Sequence, residues 1–150
     1  MKWIYKVAEV ELSYKPSIKR KERLKIKSAK DAYQVLMSTF REGTVEHREY
    51  FKVLLLNQSN EVLGYQLVAE CGISACPVDI RVILQSAILT NASGLIVAHN
   101  HPSGNLEVSS QDISITQRIK EAARLLDIAL LDHLILTADS YTSFADEGLL

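Results

Sequence analysis

The stretch that most narrows the fold is Gly94-Leu95-Ile96-Val97-Ala98-His99-Asn100-His101. Five residues without a polar side chain lead straight into two histidines. A run this short, entered at a glycine and left at a proline, reads as a buried strand. The Pro102-Ser103-Gly104-Asn105 loop follows. After it, Ile113, Thr116, Ile119, Ala122, Ala123 and Leu126 mark one face of an amphipathic helix running from near Ser109 to about Leu126. Residues 128–137 form another apolar strand. Strand, helix and strand in that order argue for an α/β domain of layered type, with helices packed on a largely central sheet.

The remaining segments fit the same plan. Tyr50 to Leu56 is strongly apolar, and Asn57-Gln58-Ser59-Asn60 is a turn into a partner strand at 62–69. Ser28 can cap a helix over 29–40, where Ala32, Val35, Leu36 and Phe40 keep helical spacing, and Gly43 ends it. Residues 78–92 read as a further helix. Residues 3–12 alternate loosely and suggest an edge strand, and 13–27 read as an extended basic arm containing Pro16. The expected division is therefore 1–27, a strand and basic arm, and 28–150, the folded domain.

At 150 residues the chain can bury an apolar core without staples. Its net charge of −1 conceals a division. Residues 1–30 carry ten Lys/Arg against Glu9, Glu11 and Glu22, a net of +7, while residues 31–150 hold seven Lys/Arg against fifteen Asp/Glu, a net of −8. No stretch approaches the roughly 20 apolar residues of a membrane helix, and charge breaks the start too early for a signal peptide. No membrane contact is expected. Cys71 and Cys76 have the wrong spacing for a zinc knuckle or a redox pair and are expected to be two reduced thiols in a cytoplasmic protein.

Four residues carry the chemistry. His99 and His101, two apart on a strand, share a face and present two imidazoles side by side. Nitrogen ligands suit zinc, and Asp112, in the first turn of the following helix, offers a third ligand where the helix dipole favours a carboxylate. Three protein ligands leave the fourth position open for water. Ser109-x-x-Asp112 also resembles a helix-capping box, with Asp in place of Glu or Gln, and capping alone would account for both residues. The two roles are compatible.

His99-Asn100-His101-Pro102, six residues, and Ser109-Ser110-Gln111-Asp112 resemble the H-x-H-P-x₆-S-x-x-D signature of JAMM (JAB1/MPN+) metalloproteases. Ala98 to Gly104 and Leu131-Asp132-His133 are similar to its bacterial RadC-type branch. The resemblance covers about 28–150, and the absence of a helix-hairpin-helix segment suggests the short form. It implies a cytidine-deaminase-like JAB/MPN fold, a mixed sheet flanked by helices. It also implies Zn²⁺ on His99, His101 and Asp112, Glu49 as general acid/base with Glu46 as competitor, and the Ser109 hydroxyl at the oxyanion. The activity implied is hydrolysis of a peptide or isopeptide bond in a protein or peptide substrate. Asp132 and His133 are a candidate pair behind the ligands, although neighbours on a strand face opposite ways.

Other classes fit less well. A zinc deaminase needs H-x-E and P-C-x-x-C, and a thermolysin-type enzyme needs H-E-x-x-H; neither pattern is present. HNH nucleases spread their residues over a long ββα unit instead of three consecutive strand positions. A non-catalytic MPN scaffold would ordinarily lack the ligands. The remaining alternative is a DNA-associated module that uses Lys19, Arg20, Lys21, Arg23, Lys25 and Lys27 on phosphate, in keeping with the DNA-repair label RadC-type proteins carry by name. An exposed edge strand would also let the chain pair with a copy of itself.

Overall fold

All seven residues of β3 (Gly94–Asn100) are buried, and the sheet is built around them. The computed structural model describes residues 6–72 and 76–150. Among these, α1 (Ala29–Met37), β1 (Tyr50–Leu56), β2 (Val62–Glu70), α2 (Ile80–Leu89), β3, α3 (Ser110–Arg124), β4 (Ala129–Leu136) and β5 (Tyr141–Ser143) follow in sequence. The strand order is β2-β1-β3-β4-β5. Only β3 and β4 run parallel, joined through α3, and every other pair is antiparallel. The result is a mixed sheet flanked by helices, as expected for a JAB fold.

Side-chain alternation divides the core into two layers. Phe51, Val53, Leu55, Leu95 and Val97 face Ile83 and Ala87 of α2 and Ile119 and Ala123 of α3. Leu54, Leu56, Ile96, Ala98, Leu134 and Leu136 face Ala32 and Leu36 of α1. Covering on both sides is why β1 and β3 read as continuous apolar runs. In the β1–β2 turn, Asn57 Oδ1 accepts from the amides of Ser59 at 3.0 Å and Glu61 at 2.9 Å, and Asn60 takes the left-handed φ of 59° that the tight reversal needs.

Several boundaries differ from expectation. The helix α1 stops at Met37 instead of residue 40, because the Ser38 and Thr39 hydroxyls turn back to the carbonyls of Val35 and Leu36, both at 2.6 Å. Asp79 caps α2 through the amide of Arg81, so that helix starts at residue 80. Residues 6–12 form no strand; Val7, Val10 and Leu12 are exposed. The expected edge strand fails there because no strand among the described residues pairs with the segment, and its residues 3–5 lie outside the described residues. The arm meets the sheet later: the Ile26 amide donates to Asn60 O at 2.9 Å, and Val62 donates to Leu24 O at 2.8 Å.

The cysteine reading is also corrected. Cys71 and Cys76 are joined in a disulfide. Their spacing excluded a knuckle or a multi-bridge framework, but it permits a short covalent loop between the end of β2 and the approach to α2. Among the described residues no helix is long and apolar enough to cross a membrane.

Candidate metal centre

The site forms where β3 ends and α3 begins. His99, the penultimate residue of β3, is 2% exposed, and its Nε2 lies 3.0 Å from His101 Nε2. His101 is held just beyond the strand by its amide, which donates to Leu136 O at 2.9 Å. Its Nδ1 lies 2.6 Å from the carbonyl oxygen of Asn105. A carbonyl only accepts, so Nδ1 carries the proton and Nε2 presents a lone pair.

Ser109 caps α3 reciprocally. Its hydroxyl accepts from the Asp112 amide at 3.0 Å, while Asp112 Oδ2 accepts from the Ser109 amide at 3.0 Å. The box leaves Asp112 Oδ1 directed at His99 Nε2, 3.2 Å away. Burial works to raise the Asp112 carboxyl, but the adjoining His99 imidazole and the Ser109 cap outweigh it and hold the group well below the usual carboxylate range. Capping and presentation to the histidines thus coexist in one residue.

Glu49 precedes β1, with its carbonyl held by the Cys71 amide at 2.9 Å. Ligand atoms of Glu49, His99 and His101 all lie within 4.8 Å of one another, a group able to hold a metal ion. Asp112 touches this group through His99. These residues line a cavity of about 440 Å³ whose other walls include Phe51, Pro77, Val78 and Ile115. Glu46 lines a neighbouring recess together with His101, Pro102 and Gly104, and is not among the residues lining the main cavity.

Of the two residues expected behind the ligands, the structure brings one to them. His133 Nε2 is 2.8 Å from His99 Nδ1. Burial first, and the neighbouring His99 second, push its imidazole well below the ordinary value, so it is neutral. Asp132 lies apart from the cluster: its carboxylate accepts from the Ser143 hydroxyl and the amides of His133 and Ala145, pinning the segment after β5.

Two residues with roles here were not singled out from sequence. Asn100, fully buried between the histidines, accepts from the Tyr50 amide at 2.7 Å and donates to the carbonyls of Val45 at 2.7 Å and Arg48 at 2.8 Å. It therefore fixes the loop that carries Glu49. Thr116, also fully buried, lies 2.6 Å from His133 Nδ1. The readable signal was a carboxamide inside an apolar strand and a hydroxyl on the apolar face of a helix, since each needs a partner when buried.

The sequence profile of the RadC-like JAB domain matches residues 26–149. A "UPF0758 protein" of Flavobacterium johnsoniae is 42% identical over 125 residues, covering 83% of this chain and 53% of the relative. One from Porphyromonas gingivalis is 42% identical over 146 residues, covering 96% and 63%, and one from Aquifex aeolicus is 38% identical over 130 residues, covering 87% and 54%. The chain thus spans between about half and three fifths of these relatives' length. Taken with the mixed sheet and the His99–His101–Asp112 arrangement, the match over nearly the whole described domain means that the chain belongs to the RadC-like JAB domain family.

Proposed function

We propose that the chain is a zinc-dependent metallopeptidase that hydrolyses a peptide or isopeptide bond. One observation carries this reading: the His101 lone pair and the Asp112 carboxylate converge on His99 Nε2 at 3.0 and 3.2 Å, with the Glu49 carboxylate beside them. With no proton on His99 Nε2, acceptors packed this closely repel one another unless a cation lies among them. Two imidazoles and a carboxylate form a donor set suited to zinc.

His99, His101 and Asp112 hold the ion in this reading, and it supplies Lewis acidity and a water whose pKa falls towards about 7. Glu49 takes a proton from the attacking water and returns it to the leaving amine. The Ser109 oxygen already accepts from the Asp112 amide, so its hydroxyl hydrogen is free to donate to the developing oxyanion. The apolar walls around Phe51 and Ile115 receive substrate side chains and exclude water.

Metal content after exhaustive dialysis tests this reading, with zinc as the probe. The native chain and Glu49→Gln retain one zinc per chain, His101→Ala loses it, and Glu49→Gln abolishes peptide hydrolysis. A native protein without stoichiometric metal, or a fully active Glu49→Gln, overturns it. A second reading concerns the arm. Lys19, Arg20 and Lys21 are exposed, and among the described residues none makes an ion pair, which favours contact with nucleic-acid phosphates in addition to the metal chemistry.

A further inference from the structure

We propose that Thr116 and His133 are positioning residues that lock His99 in the one tautomer able to bind a metal. The relay begins at its most buried end. Thr116 Oγ1 lies 2.5 Å from the carbonyl oxygen of Asp112, one helical turn earlier. That carbonyl can only accept, so the hydroxyl proton is committed to it. The same Oγ1 lies 2.6 Å from His133 Nδ1 and, its proton spent, can only accept there. His133 therefore carries its proton on Nδ1 and offers a lone pair at Nε2. That lone pair meets His99 Nδ1 at 2.8 Å, so His99 must donate from Nδ1. Its Nε2 is left as a lone pair facing His101 and Asp112.

Every link is forced by the one before it. The direction is set by a backbone carbonyl, and no carboxylate takes part in the relay. His99, His133 and Thr116 are all at least 98% buried, so water cannot supply an alternative partner cheaply. Phe144 stacks on the His133 ring at 4.6 Å between centroids, and Phe51 meets it edge-on at 5.7 Å, which prevents the ring from turning. The relay also joins both ligand-bearing elements, because it starts at the backbone of Asp112 and ends on the side chain of His99. A ligand histidine ordinarily donates its second ring nitrogen to a carboxylate, a carbonyl or water. Here a neutral imidazole does that work, backed by a threonine.

The proposal rests on the metal reading for its purpose, but its geometry can be tested without a metal. Ring-nitrogen NMR of the ¹⁵N-histidine-labelled, metal-free full chain reports each tautomer directly. The expected spectrum has protons on Nδ1 of both His99 and His133. Thr116→Val, which keeps the shape and removes the hydroxyl, should give mixed tautomers at both rings. It should also weaken zinc binding by about 10- to 100-fold in chelator competition. Thr116→Ser should restore both readouts, which a simple packing role would not predict. A wild-type His99 protonated on Nε2 overturns the proposal, as does a folded Thr116→Val with wild-type tautomers and wild-type zinc affinity. If the wild-type chain binds no zinc, the metallopeptidase reading fails, while the tautomer spectrum still decides the relay.

Discussion

Asn100 shows how one residue can serve the site without facing it. It lies between His99 and His101 on β3, so strand alternation turns it to the opposite side, where it ties down the backbone at Val45, Arg48 and Tyr50. Those three bonds span the loop on which Glu49 is carried. Asn100→Ala leaves two carbonyls and one amide without their partner, at roughly 1–3 kcal/mol for each group that remains buried and unsatisfied. Urea unfolding should register a loss of about 2–4 kcal/mol, and zinc affinity should fall far less than peptide hydrolysis, because the histidines stay while the loop is released. Equal losses of zinc affinity and hydrolysis would show that Asn100 does not act through Glu49. That His99, His101 and Asp112 meet at one junction was legible in sequence from strand and helix spacing. The roles of Asn100 and Thr116 were not, because their partners lie up to 55 residues away in the chain.

At the scale of elements, the same contrast separates long patterns from short ones. The strands β1, β3 and β4 and the helix α3 were readable because seven or more residues keep one apolar run or one period. The three-residue β5 has too few positions to show alternation, and its pairing to β4 depends on residues 134–136. The end of α1, set by the Ser38 and Thr39 hydroxyls, also meets a partner distant in sequence. Lys52 comes up from β1, and its ammonium donates to Thr39 Oγ1 at 2.8 Å and Thr39 O at 3.2 Å, 3.4 Å from the centre of the Phe40 ring. A cation at a helix C-terminus is favourable, but burial pushes the Lys52 amine down from 10.5 to about 8. Below about pH 8 the amine is charged in both folded and unfolded chains, and no slope arises. Between about 8 and 10.5 the folded chain has released a proton that the unfolded chain keeps, so stability rises with pH across that window. Urea unfolding at pH 7.5 and 9.5 should show this rise in the native chain. Lys52→Met should flatten it, and an unchanged rise in the variant would assign the effect to other groups.

At the scale of the whole molecule, the charge division found in the sequence becomes a separation in space. Leu56 pairs with Gly94, and Phe51 pairs with His99. The β1–β2 turn therefore lies at the opposite end of the sheet from the histidines, five residues or roughly 17 Å along β3. The basic arm is fastened at that turn through Leu24, Ile26 and the Lys25–Glu61 bridge. The arm's attachment point and the metal cavity thus sit at opposite ends of the sheet. The proposed phosphate contact through Lys19, Arg20 and Lys21 would accordingly be independent of the proposed metal site. If that is so, changing the three residues to Ala should weaken duplex DNA binding at low salt. The slope of log K against log salt should become shallower by up to about 2.7, at about 0.9 for each phosphate no longer neutralised. Zinc content and the His99 tautomer should stay as they are. An unchanged salt slope would remove the arm from nucleic-acid binding. A loss of zinc in the same variant would show instead that the two ends of the sheet are coupled, and the charge division would then describe one site instead of two.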